Sequence, residues 1–276
     1  MIHLRSLLFA SMLYAWTGVL SFLYLPLLFV PRKLLAIFVE IWLRGIAKIA
    51  DTTLGLRYEL RGIENRSSGP AIYASKHQSA WETLFFRLFV PDCAFVLKRD
   101  LMWIPLWGWY VWRMGMIGID RAAGMRSIKK MIAHARGVLA AGRPIVVFPQ
   151  GTRVAPGAKG AYLSGIAAIY CELNVSVVPV ALNSGLFWPR RRFVKFPGTI
   201  TVEFLKPIPP GLKRSEFMAQ LEAQIEEASN QLEADARQHF IKLPPIADAS
   251  LANGKSTDSA NSSDSGDSTN SEHVRL

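Results

Sequence analysis

Apolar and polar positions alternate with different periods along the chain, and each change of period marks a different kind of element. Residues 7–30 form an uncharged run, preceded by Arg5 and followed by Arg32 and Lys33. At ~1.5 Å per residue such a run, if helical, is long enough to cross a ~30 Å hydrocarbon core. It is too long for the apolar part of a cleaved signal peptide, and no small-x-small cleavage site follows it. Pro26 can kink the helix, so a tilted or shallow insertion stays open. Residues 34–50 read differently. Glu40, Arg44 and Lys48 recur every four residues, while Leu35, Phe38, Ile41, Trp42 and Ile46 fill much of the remainder. That spacing predicts an amphipathic helix, lying at a bilayer surface or against the rest of the protein.

Beyond residue 50 short β-prone runs alternate with helical ones. Strands are expected at 56–60, 71–74, 94–97, 145–148, 175–182 and 200–204. Helices are expected at 83–89, 124–141, 161–171 and from 215 to about 240. In the second of these, Met125, Ile128, Ile132, Ala135 and Leu139 share a face, with Arg126, Lys129, Lys130 and Arg136 elsewhere. Pro179 inside a strand predicts an edge or a bulge. The alternation argues for an α/β fold, a mixed sheet flanked by helices, with an N-terminal membrane-anchoring helical segment. Anchoring helices are assigned to residues 1–50 and a catalytic domain to 51–246. Residues 247–276 form a polar tail expected to be disordered, since Ser, Asp, Asn, Thr and Gly bury too little apolar surface to offset ordering.

Charge and composition narrow the partners. The formal net charge of +11 calls for an anionic one: DNA, RNA, an anionic lipid surface or a phosphorylated substrate. Half the residues are hydrophobic and the mean hydropathy is +0.20, which favours membrane lipids over nucleic acid. Trp103, Trp107, Trp109 and Trp112 crowd one stretch, and such rings favour membrane interfaces. Pro105 and Arg113 argue against a second span there. Residues 187–196 interleave cations with rings, which fits an anionic membrane surface better than nucleic acid. Cys93 and Cys171 lie in apolar neighbourhoods and read as buried small residues of a reducing compartment. Nothing shows the spacing of a metal site.

The candidate chemistry centres on Ser75-Lys76-His77-Gln78-Ser79-Ala80-Trp81-Glu82. His77 falls in the turn between an expected strand and helix. His77 and Glu82 are five apart, about 140° around a helix, so they meet only if His77 precedes the first turn and folds back over it. A carboxylate on one ring nitrogen would fix the tautomer and leave the other free to take a proton from a hydroxyl. A cap and a solvated side chain is the plainer alternative. The loop at 150–160 combines glycines, Thr152, Arg153 and Lys159. Glycines let backbone amides approach an anion, and Arg153 can hold a phosphate with paired N–H groups. The loop lacks P-loop spacing, so ATP is not expected, and no cofactor is implied.

Four blocks in order resemble the glycerolipid acyltransferase family. They are His77 to Glu82; Lys98, Leu101, Pro105, Gly108 and Gly115 closing at Ile119-Asp120-Arg121; Phe148-Pro149-Gln150-Gly151-Thr152-Arg153; and Val177-Val178-Pro179-Val180-Ala181. The family pattern has aspartate where Glu82 stands and glutamate where Gln150 stands. The resemblance implies transfer of an acyl chain from acyl-ACP or acyl-CoA to the free hydroxyl of a lysophospholipid, 1-acylglycerol 3-phosphate, forming phosphatidic acid. His77 would be the base and Glu82 its support. Lys98, Arg121, Arg153 and Lys159 would hold the phosphate, with Gln150, Gly151 and Thr152 completing the substrate loop; the sequence does not identify the oxyanion donor, the Gly151 amide being one candidate. The two departures keep another acceptor open, such as a lyso-aminolipid. A non-catalytic membrane-binding module is the alternative of a different class. The expected location is the inner membrane with the catalytic domain facing the cytoplasm, where acyl thioesters are made. If the first helix spans, Arg32, Lys33, Arg44 and Lys48 outweigh Arg5 in agreement with that side.

Overall fold

The computed structural model describes residues 1–240 and 243, so the tail expected at 247–276 lies outside the described residues. The apolar run at 7–30 is not one helix. Helix α1 spans Ile2–Leu23, a 3-10 turn covers Leu25–Phe29, and α2 spans Arg32–Leu54. Pro26 sits in the first turn of the 3-10 segment, where its missing N–H breaks the α-helical ladder. Twenty-two residues still make α1 roughly 33 Å long. By length and composition it could cross a membrane, the one such helix among the described residues.

Instead of standing free, α1 packs along α2. The Trp16 indole donates to the Trp42 carbonyl at 3.0 Å, and the Trp42 indole to Thr17 Oγ1 at 3.2 Å. Gly45 makes the close approach possible, because a Cβ there would lie 2.5 Å from the Trp16 ring. The hairpin is also tied to the rest of the fold. Ser6 Oγ accepts from the Lys195 amide at 3.0 Å and the buried Phe9 meets Trp188 edge-on at 5.1 Å, while Arg5 Nε, donating to the Thr53 carbonyl at 2.8 Å, adds a further tie between α1 and α2.

The remaining elements are β1 (Leu56–Arg61), β2 (Ile72–Ser75), α3 (Trp81–Phe89), β3 (Ala94–Lys98), α4 (Trp107–Arg113) and β4 (Ile117–Ile119). Then come α5 (Gly124–Ala140), β5 (Ile145–Val147), α6 (Gly165–Leu173), β6 (Val177–Leu182), α7 (Ser184–Phe187), β7 (Gly198–Phe204) and α8 (Arg214–His239). They form a seven-stranded mixed sheet in the order β1-β7-β6-β2-β5-β3-β4. Only β6 and β7 pair antiparallel. The expected class therefore holds, with β4 an added strand that three residues after Gly115 were too short to announce.

Pro179 is in part a correction. Strand β6 is not an edge, since it lies between β7 and β2 with Pro179 opposite Ala74, but its antiparallel pairing is irregular at the proline, where Val178 and Pro179 stand opposite residues 205–207. The β7 ladder reaches Val180, and a separate bridge joins Val177 to Ile208. Pro179 falls between the two, where its carbonyl accepts from Leu205 N at 2.9 Å and no ladder requires its own N–H. Cys171 is a second correction. Ile166, Ala167, Ile169 and Tyr170 turn inwards from α6, which leaves Cys171 exposed, while Cys93 is fully buried. The tryptophan-rich stretch makes only the seven-residue α4, far short of a span, with Trp103, Trp109 and Trp112 exposed.

The sheet order positions the site. From β2 the chain passes through α3 to β3 on one side, and from β5 through α6 to β6 on the other. The neighbours β2 and β5 therefore send their connections in opposite directions. The crevice beyond their carboxyl ends is a topological switch point, where open α/β sheets bind ligands. His77 follows β2 and the Gln150 loop follows β5.

Phe9 tests whether α1 is docked as described. Phe9→Ala should cost about 3 kcal/mol or more of stability, as buried Phe truncations do, measured by chemical denaturation in detergent. A loss under about 1 kcal/mol would mean α1 contributes little to the fold.

Candidate active site

Strand β2 ends at Ser75, and five residues of turn separate it from α3, which begins at Trp81. Glu82 is the second residue of that helix and is completely buried. Its Oε1 accepts from His77 Nδ1 at 2.8 Å and from the amides of Gln78 and Ser79, each at 2.7 Å. Its Oε2 accepts from Ser184 Oγ at 2.7 Å, at the start of α7. His77 does precede the first turn and fold back, because Glu82 draws the turn's own amides onto the same oxygen. The carboxylate only accepts, so the shared proton lies on Nδ1 and Nε2 is left as the acceptor. Phe148 stacks on the imidazole, with centroids 4.2 Å apart, and fixes the ring plane.

The loop after β5 clamps the same residue from the other side. The His77 amide donates to Gln150 Oε1 at 3.1 Å, and the His77 carbonyl accepts from the Val154 amide at 2.7 Å. A cavity of about 530 Å³ opens here. His77, Lys98, Gly151, Thr152 and Arg153 line one part of it. Leu20, Trp42, Leu84, Trp107 and Val111, from α1 to α4, line an apolar part. The result is a proton acceptor and cations opening onto space for hydrocarbon.

The other expected site residues are placed unequally. Lys98, at the end of β3, lines the cavity and pairs with Asp100. Arg153 lines it as well, and its guanidinium makes no hydrogen bond or ion pair among the described residues. The Gly151 amide donates to the Phe148 carbonyl at 2.9 Å, closing a turn in which Gly151 has φ +63°. Gln150 is buried and holds the His77 amide and Glu226 instead of lining the cavity. Lys159 is exposed, 4.0 Å from Glu222 of α8, and is not among the lining residues. The side chain of Arg121 lies outside the described part of the structure.

Sequence reasoning missed Arg190. It was counted with a surface run of cations, yet it lines the cavity and donates to the Arg153 carbonyl at 2.5 Å. Its Nε is buried with no partner. Loss of hydration, then the charges of Arg191 and Arg153, push its pKa down. Two guanidiniums thus face one cavity with no carboxylate bound to either among the described residues. Thirty-seven positions separate Arg190 from Arg153, so only the fold brings them together. Ser184 was missed for the same reason, 102 positions from Glu82.

Comparisons with known proteins identify the family. A family model described as Acyltransferase matches residues 57–183, from β1 to just past β6. The 1-acyl-sn-glycerol-3-phosphate acyltransferase of Pseudomonas aeruginosa is 36% identical over 197 residues, covering 71% of this chain and 76% of that one. The alpha form from Mus musculus is 29% identical over 170 residues, 60% of each chain. Among solved structures, the 1-acyl-sn-glycerophosphate acyltransferase of Thermotoga maritima superposes with a TM-score of 0.66. That match covers 84% of this chain and 95% of the other, and at 23% identity it speaks for the fold. With the bacterial relative matched over three quarters of its length, and the fold shared, the chain belongs to the acyltransferase family.

Proposed function

We propose that the protein transfers an acyl chain from a thioester, acyl-ACP or acyl-CoA, to the free hydroxyl of a 1-acylglycerol 3-phosphate. One observation carries the reading. The His77–Glu82 pair opens onto an apolar cavity beside two arginines that lack a carboxylate partner among the described residues. Relatives named for the same acceptor support it.

The hydroxyl of the acceptor gives its proton to His77 Nε2 as its oxygen attacks the thioester carbonyl. The tetrahedral intermediate then expels the thiolate, which takes the proton back from the imidazolium. Glu82 stabilises that cation without leaving its place, since four donors hold it. No acyl-enzyme is needed. Arg153 and Arg190 receive the phosphate as paired planar donors, and Lys98 adds a point charge.

The same reading accounts for the apolar exterior. Leu4, Leu7, Leu8, Met12, Val19 and Phe22 leave α1 with a wide exposed face, which associates with a membrane. Because α1 is docked on α2 and Trp188, we read it as lying on the domain with this face in lipid. The domain then faces the cytoplasm of the inner membrane, on the side of the thioester pool.

Incubating purified protein with labelled acyl thioester and lysophosphatidic acid tests the proposal, and absence of phosphatidic acid would end it. His77→Ala should lower turnover about 10²–10⁴-fold with the melting temperature nearly unchanged; retention of half the activity would remove His77 from the chemistry. Arg153→Lys and Arg190→Lys should each lower the specificity constant for lysophosphatidic acid, Arg153→Lys by about 1.5–3 kcal/mol, with a much smaller loss on a neutral monoacylglycerol. An equal loss on both acceptors would make these arginines supports of the loop. A preference of the wild-type protein for amino-lipid acceptors would overturn the phosphate assignment.

A further inference from the structure

Helix α8 lies outside the residues that the family model matches, yet two of its carboxylates reach both loops of the site. Glu226 and Glu233 are seven apart, about two turns, and so share a face. Glu226 Oε2 meets Lys76 Nζ at 2.5 Å, and its Oε1 accepts from Tyr162 OH at 2.8 Å and from Gln150 Nε2 at 3.3 Å. Glu233 Oε1 accepts from Gln78 Nε2 at 2.5 Å. Lys76 and Gln78, on either side of His77, are 2% and 1% exposed. The base is therefore flanked by two side chains anchored on one helix face, and its own amide reaches that face through Gln150.

Gln150 has two tasks that no carboxylate can combine. Its carbonyl accepts from the His77 amide while its NH₂ donates to Glu226. A glutamate at 150 would set two carboxylates at hydrogen-bond distance, with Lys76 bound to Glu226 alone. We propose that Glu226, acting through Gln150 and Lys76, is a positioning residue for His77, and that Gln150 and Glu226 work as an amide–carboxylate pair. The consequence for turnover rests on the acyl-transfer reading; the pairing itself does not.

Exchanging the two groups tests this, because Gln150→Glu with Glu226→Gln keeps one amide, one carboxylate and one ammonium in place. Gln150→Glu alone should lower kcat at least about tenfold with KM for lysophosphatidic acid little changed, and the double variant should recover to within about threefold of wild type. Hydrogen exchange of the 75–79 segment should quicken in Gln150→Glu and slow again in the double variant. A double variant no better than the product of its singles, or exchange unaffected by the swap, overturns the pair. Should Gln150→Glu fail to fold, the near-isosteric Glu226→Gln serves alone. His77→Ala should then cost less in that background than in wild type, and an equal cost refutes the positioning role. If wild-type protein transfers no acyl group, the functional reading falls and the exchange measurements decide the pairing by themselves.

Discussion

The buried carboxylate of Glu82 is the constraint on which the site depends. It brings no cation of its own, and it is shielded completely, so its hydration must be replaced in full. Two backbone amides, an imidazole and a hydroxyl do so. Its place in the first turn of α3 adds the favourable end of the helix dipole. These partners come from two stretches: the turn after β2, which carries His77, Gln78 and Ser79, and the start of α7. Holding the carboxylate therefore fixes the path of the chain through the switch point. Removing the carboxyl group would strand four donors, which is why its cost exceeds that of one lost hydrogen bond. A glutamate serves where the family pattern has aspartate because one side chain reaches both the turn amides and Ser184.

The positive charge of the chain is organised by pairing. Arg32, Arg87 and Arg143 converge on Asp92, which has φ +56°. Burial pushes the Asp92 carboxyl up, but the Arg32 hydrogen bonds and the charges of Arg143, Arg32 and Arg87 outweigh it and hold it below the usual carboxylate range. Arg57 pairs with Asp51 and Lys76 with Glu226. Against these satisfied groups, Arg153 and Arg190 stand out as cations directed at a cavity. A net charge of +11 cannot distinguish the two kinds. The distinction is geometric: only the fold shows which cations line the cavity.

What was legible in the sequence follows the range of each interaction. Periodicity placed α2, α5 and α8 and most strands, since a helix or strand shows its buried face within a few residues. The His77–Glu82 pair was readable because five residues and a turn suffice to build it. Arg190, Ser184 and Glu226 were not, because their partners lie 37, 102 and 76 positions away and no local pattern records them. Lys159 reads as an added point charge beside Arg153 in a glycine-rich loop, yet it lies exposed near Glu222 and does not line the cavity. Pro179 marked an interruption in the pairing but not that it would fall inside the sheet. A proline is excluded from a strand only where its N–H is needed, and whether it is needed depends on where the neighbouring ladder stops.

The N-terminal hairpin joins two properties that sequence treats separately. The outward side of α1 is exposed and apolar, and its inward side, with α2, supplies Thr17, Leu20, Tyr24, Val39 and Trp42 to the cavity wall. A segment that only anchored the protein would not need polar ties such as Trp42 to Thr17 and Arg5 to Thr53. Those bonds hold α1 against α2, and Tyr110 Oη donating to the Ser21 carbonyl at 2.7 Å and Arg113 Nε to the Leu28 carbonyl at 2.9 Å tie the hairpin to α4. Lipid contact on one face and chain accommodation on the other then use the same two helices. A hydrocarbon chain reaching the site along this wall would exchange bilayer for protein without passing through water, and the cost of exposing it, about 0.8 kcal/mol per CH₂, would never arise.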